Sequence, residues 1–141
     1  MSDYIELKQS EFFIAKKNFG KVLKAIKKLM AKAGELGTGW NKEEGRHFAW
    51  VGTKEVLAAK NIFEAIEEWR WSFIVDKNNG NIVGIKFNGE KLGDDFYLFE
   101  AIAPFVKDGS FIEISMRDNA DWRWVFIQGG CLDKPVIVGY E

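Results

Sequence analysis

With 141 residues, 47% hydrophobic, 15% aromatic and a formal charge of -1, the chain has the size and composition of one folded domain with a substantial core. This composition excludes a polar, highly charged disordered chain, and no apolar run approaches the ~20 residues that span a bilayer. The opening MSDYIELKQSEFF lacks the basic-then-apolar pattern of a secretory leader, and the lone Cys131 cannot close an internal disulfide. A cytoplasmic protein forming a single domain over residues 1–141 is expected, with no membrane contact and with Cys131 as an unreactive, partly buried thiol.

In chain order, SEFFIAKK (residues 10–17) has the β-prone alternation of a first strand. From Asn18, a good N-cap, the run NFGKVLKAIKKLMAKAG places Phe19, Val22, Leu23, Ile26, Leu29, Met30 and Ala33 on one helical face and closes on Gly34. Opposite that face, Lys17, Lys21, Lys24, Lys28 and Lys32 form a basic stripe, read either as a solvated helix face or as a contact for phosphates or an acidic protein. The stripe belongs to a wider asymmetry. Residues 1–33 carry eight lysines against Asp3, Glu6 and Glu11, an excess of +5 that leaves -6 on the remainder.

GELGTGWNKEEGRHF (34–48), with four glycines, reads as a loop, and HFAWV (47–51) as a strand. Thr53 can cap a helix running to Trp69; the Asn61 and Glu64 pair has capping-box form, so a break is expected there. SFIVD, the turn KNNG and IVGIKFN predict a hairpin. A third helix follows over FYLFEAIAPFV, capped by Asp94 or Asp95 and ended or bent by Pro104. FIEISMR, DNAD and WRWVFIQ predict a second hairpin, and PVIVGY a last strand behind a GGCLDK turn.

FEAI occurs at 63–66 and 99–102, and each copy precedes a Ser-Phe-Ile that opens a strand. Aligning the copies sets IVGIKFNG against WRWVFIQG, so helix, strand, turn and strand form the repeated unit, and the two Trp-Arg-Trp stretches fall outside one alignment. The first ends a helix with Trp69 in the core; the second lies along a strand. Two such units predict an α+β domain, an antiparallel sheet with helices on one face in ferredoxin-like style.

Treating DNAD as a four-residue turn pairs Arg117 with Trp122, Ser115 with Trp124 and Glu113 with Phe126. Strand alternation then sends Ile112, Ile114, Met116, Val125 and Ile127 to the helices, with Ile74, Val83, Ile85 and Phe87 as the equivalent face of the first hairpin. The other face collects Phe111, Glu113, Arg117, Trp122, Trp124 and Phe126. Aromatic rings mixed with charges mark a candidate binding surface, or one covered by another part of the chain or by a dimer partner. Stacking of single-stranded bases on these rings is the nucleic-acid alternative, disfavoured by Glu113 and the acidic rim.

Catalytic and metal fingerprints find little support. His47 lacks a nucleophile motif beside it, although an enzymatic site near the 34–47 loop is kept as an alternative. GELGTG lacks the Lys-Ser/Thr ending of a phosphate loop, and DKNNGNI lacks the closing glutamate of a calcium loop. Neither a cofactor nor a metal is expected.

Ile102-Ala103-Pro104-Phe105-Val106, then Asp108-Gly109-Ser110-Phe111-Ile112-Glu113, then Trp122-Arg123-Trp124 and Phe126 form a signature. Through it, residues 61–129 resemble a group of small uncharacterised bacterial and phage proteins. Where those proteins continue into Gly-Glu-Asp-Gly, this chain runs Ser115-Met116-Arg117-Asp118-Asn119. The resemblance implies an accessory or mobile-element setting and brings no catalytic residue. A small non-enzymatic binding module is therefore expected, with a protein or small ligand as partner and a homodimer kept open.

Overall fold

The computed structural model describes residues 4–33, 39, 43, 46–117 and 120–136. Its helices are α1 (Phe19–Ala31), α2 (Thr53–Leu57), α3 (Ile62–Glu68) and α4 (Asp95–Ile102). Its strands are β1 (Ile5–Glu11), β2 (Trp71–Val75), β3 (Ile82–Phe87), β4 (Phe111–Met116), β5 (Trp122–Ile127) and β6 (Gly130–Pro135). The strands form an antiparallel sheet of order β1-β4-β5-β6 and a separate β2-β3 ribbon, with the helices packed on one side. The α+β class and the two helix–strand–strand units stand as expected, α3-β2-β3 and α4-β4-β5, although their hairpins lie in different sheets.

The chain between β1 and α1 joins the two sheets. Ile14 exchanges two backbone hydrogen bonds of 3.0 Å with Ile82 at the head of β3, and at the other end of β1 the Ile5 N–H donates to the Glu90 carbonyl at 2.9 Å. The first strand is therefore Ile5–Glu11, upstream of the expected 10–17; Phe12 and Ile14 are buried, but in irregular backbone. HFAWV also forms no strand. Its Phe48 and Val51 are buried in a turn, while Trp50 takes a left-handed φ of 61°.

The helix boundaries have different causes. α1 begins at Phe19, directly after Asn18 as expected, but Asn18 ends a 3-10 turn (Lys16–Asn18) in helical backbone and its side chain makes no capping hydrogen bond; α1 buries Val22, Ile26, Leu29 and Met30. The expected closure on Gly34 lies outside the described residues. The long helix expected over 53–69 divides into α2 and α3 at Asn61. Its side chain accepts from the Glu64 N–H at 2.9 Å while the Glu64 carboxylate accepts from the Lys60 N–H at 3.0 Å, satisfying donors that a helix start leaves open. After α4, Pro104 lies in a 3-10 turn (Ala103–Phe105) because it has no N–H with which to continue the helix.

The KNNG hairpin forms with Gly80 at φ 78° and the Asp76 side chain accepting from the Asn78 N–H at 2.8 Å. Beyond β5 the segment expected as a GGCLDK turn is largely strand. Gln128 and Gly129, both at positive φ (53° and 77°), make a two-residue turn that returns the chain at once as β6. Most of the PVIVGY expected as a last strand, residues 137–140, lies outside the described residues.

Candidate interaction site on the helical face

The β4–β5 register moves the aromatic residues inward. Glu113 lies opposite Arg123, not Phe126, and Trp124 and Trp122 lie opposite Ile112 and Ile114. The shift is three residues, an odd number, so every β5 side chain changes face relative to the expectation. Trp124 and Phe126 are each 1% exposed, against Phe99 of α4 with ring centroids 5.0 and 6.1 Å away. Trp122 is half-buried beside Leu92, Phe96 and Met116, and its indole N–H donates to Asp133.

The six residues expected to share a face are therefore divided. Phe111 and Glu113 lie on the opposite side of the sheet, where the Arg123 guanidinium stacks 4.3 Å from the Phe111 ring and bonds the Glu113 carboxylate. Arg117, at the end of β4, lies 4.6 Å over Tyr4. Similarly, in the first hairpin Ile85 is buried but Ile74 and Val83 are exposed, because a bulge between Ile74 and Val75 offsets the pairing. Rings sealed in the core cannot stack on bases, so the nucleic-acid reading loses the surface it relied on.

The lysine stripe, in contrast, borders a groove. Lys21, Lys24, Lys28 and Lys32 line one side of a cavity of about 530 Å³ between α1 and α4. Its floor is Ala25 and Leu29 of α1 together with Tyr97, Ala101, Pro104 and Phe105. All four lysines are exposed, and the lining sets one carboxylate, Glu100, against their four ammonium groups. Lys17 sits on the 3-10 turn ahead of α1 and takes no part in the lining.

Helical spacing explains the rim: positions 21, 24, 28 and 32 recur every three or four residues and share one face. The floor exists because Pro104 stops α4 and the following turn carries Phe105 alongside it. The sequence held a signal for this second wall. FYLFEAIA is apolar almost all round, and a helix of that kind has more than one face to bury.

A buried polar network anchors α4 and was not anticipated from sequence. Asp95, the first residue of α4, is fully buried and accepts from Arg70 Nη2 at 2.9 and 2.8 Å, Trp71 Nε1 at 2.9 Å and the Gly93 N–H at 2.9 Å. Arg70 also donates to the Lys91 carbonyl at 2.6 Å and lies over the rings of Trp50 and Phe87. Asp94, the alternative cap, accepts instead from the Ala49 N–H at 2.8 Å.

Burial first, with Asp133 and Glu100 adding to it, pushes the Cys131 thiol up to about 12, so it stays protonated and poorly nucleophilic at neutral pH. Burial, with Glu55 and Glu67 against an opposing Arg46, raises the Glu68 carboxyl above its ordinary value. His47 is half-buried, its carbonyl accepting from the Gly39 N–H at 3.1 Å. Among the described residues no three His, Cys, Asp or Glu side chains are grouped to hold a metal ion, and no helix is long and apolar enough to cross a membrane.

Compared with protein families, curated proteins and solved structures, the chain has no significant match in any of the three, so the resemblance over residues 61–129 has no family model behind it.

Proposed function

We propose that the protein is a single-domain, non-enzymatic interaction module whose groove between α1 and α4 takes an acidic amphipathic helix of a partner protein. One observation carries this: four lysines stand along one side of a largely apolar floor, so a complementary ligand needs an apolar stripe beside carboxylates. The stretch from Lys21 to Lys32 rises about 16 Å, the length of three helical turns. Helix-in-groove recognition works in this way, with i, i+3, i+4 and i+7 apolar anchors on the floor. Exposed Lys–carboxylate pairs contribute only about 0.2–1 kcal/mol each, so the floor supplies most of the affinity and the rim supplies orientation and partner choice.

In keeping with the resemblance over residues 61–129, such a module acts as a bacterial or phage accessory protein in the cytoplasm, by covering a surface of its partner. The test uses a fluorescent 15-residue peptide with leucines at helical spacing and glutamates beside them, a scrambled isomer of equal charge, and an oligothymidylate. Anisotropy titrations are followed by amide shift mapping on the full chain. Binding of the amphipathic peptide at least tenfold tighter than the isomer, weakened by Lys24→Glu with Lys28→Glu, and with shifts over 21–32 and 97–105, supports the proposal. Equal binding of the isomer, shifts elsewhere, no binding, or preference for the oligothymidylate overturns it.

A further inference from the structure

The groove between α1 and α4 has two unlike rims. Successive residues stand about 100° apart around a helix axis, so Lys21, Lys24, Lys28 and Lys32 fall within an arc of about 80° on α1, with Ala25 and Leu29 beside it on the floor. On α4 the same geometry sets Tyr97 between Ala101 and Glu100, with Glu100 turned about 60° from Tyr97 and about 100° from Ala101. α4 packs against α1 and also against β6, and the Glu100 charge reaches Cys131 on β6, where it helps to raise the thiol. Glu100 therefore stands on the rim far from α1.

The four lysines and Glu100 are all exposed, and among the described residues none of their side chains makes a hydrogen bond or an ion pair. The apolar floor keeps the two rims too far apart to pair with each other and leaves both charges for a ligand. Given a helix in this groove, as proposed above, we infer that Glu100 fixes its direction: the ligand helix carries carboxylates on the flank facing α1, basic residues on the flank facing Glu100, and its apolar stripe between them.

Helix handedness is the reason. Turned end for end on the same floor, a helix exchanges its left and right flanks, which sets its carboxylates against Glu100 and its basic residues against the lysines. Flanking charges choose partner and orientation in coiled coils in the same way. A helix acidic on both flanks lies in either direction and meets the like charge of Glu100 in each, so it is disfavoured. An exposed ion pair changes affinity by about 1.4-fold to 5-fold, so Glu100 selects among helices that the floor already binds.

Three fluorescent 15-residue peptides test this. They share leucines at helical spacing and one glutamate flank, and carry lysine, glutamine or glutamate along the other flank. Anisotropy titrations run at physiological salt, where charges are screened beyond about 8 Å, so that each flank reports the rim next to it. Wild type is expected to bind the lysine peptide at least threefold tighter than the glutamate peptide, with the glutamine peptide between. Glu100→Lys, with its fold checked by circular dichroism, is expected to invert that order. A nitroxide at the N-terminus of the lysine peptide is expected to broaden amide signals at one end of α1 and not at the other. Binding of all three peptides in an order that Glu100→Lys leaves unchanged, or broadening at both ends of α1, overturns the role of Glu100 and leaves the groove reading standing. Absence of binding by all three overturns the groove reading and this assignment with it.

Discussion

Replacing Asp95 with alanine tests whether the polar network at the start of α4 holds the fold together. The carboxylate is 0% exposed and accepts from Arg70, Trp71 and Gly93, while the Arg70 side chain is only 14% exposed. Its removal leaves a nearly buried guanidinium with the Lys91 carbonyl as hydrogen-bond acceptor, and strips the buried Trp71 N–H of its partner. Breaking a buried ion pair from one side costs about 3–5 kcal/mol, a large fraction of a domain stability of about 5–15 kcal/mol. With a urea slope of about 1.5–2 kcal/mol per molar, the unfolding midpoint falls by roughly 2 M. Tryptophan fluorescence against urea measures this. Asp95→Asn, which keeps an acceptor for Trp71 but not the charge, falls between the two. Arg70→Met combined with Asp95→Ala recovers part of the loss, because no unpaired charge remains. A midpoint shift below roughly 0.5 M, or strict additivity in the double variant, would refute the reasoning. Because Asp95 opens the helix that supplies the groove floor, Asp95→Ala should also weaken the acidic peptide.

Two further outcomes follow from burial. Glu68 has a folded-state value raised by burial and by Glu55 and Glu67, so its ionised form is disfavoured in the native protein. Its contribution is fully present below the unfolded value, about 4.3, and is lost as pH rises through the folded value. Glu68→Gln should therefore raise the melting temperature relative to wild type at pH 7, with the difference closing below about pH 4; a lowered melting temperature at pH 7 would contradict this. Trp124→Ala should cost about 3–5 kcal/mol as a fully buried aromatic truncation, and Trp122→Ala clearly less because Trp122 is half-buried. Equal urea midpoints for the two variants would favour the pairing in which both rings share a half-exposed face.

Helical elements were legible because their signals are local. The period of α1 stands out over a long run, and the break between α2 and α3 was marked by Asn61 and Glu64. The strands that were missed are those whose stability comes from neighbours. β1 (IELKQSE) is rich in residues of low β-propensity, and it is a strand because β4 offers it a ladder; the more β-prone Phe12 to Ile14 instead fill the core and bridge to β3. β6 (GCLDKP) has the composition of a turn, and the tight Gln128–Gly129 return turns it into a strand. The lysine half of the groove was readable from spacing, whereas its floor required knowing that α4 packs beside α1.

The register of the second hairpin was decided by buried area over turn length. A four-residue turn at DNAD would pair Arg117 with Trp122. In the structure, Trp122 pairs with Ile114, and Ser115 and Met116 are left to pair with Glu6 and Ile5 of β1. β5 offers two faces: Trp122, Trp124 and Phe126, or Arg123, Val125 and Ile127. At about 150–250 Å² per aromatic ring, the first face removes roughly 300 Å² more apolar surface from water than a Val and an Ile can. At about 25 cal/mol per Å² this is several kcal/mol, more than a longer loop costs in closure entropy. That comparison needs only the residue types, so the inward face could have been chosen before the turn was considered. It takes Trp124 and Phe126 out of contention as contact residues and leaves Arg123, Val125 and Ile127 on the sheet face away from the helices. The helical groove then becomes the place to look for a partner.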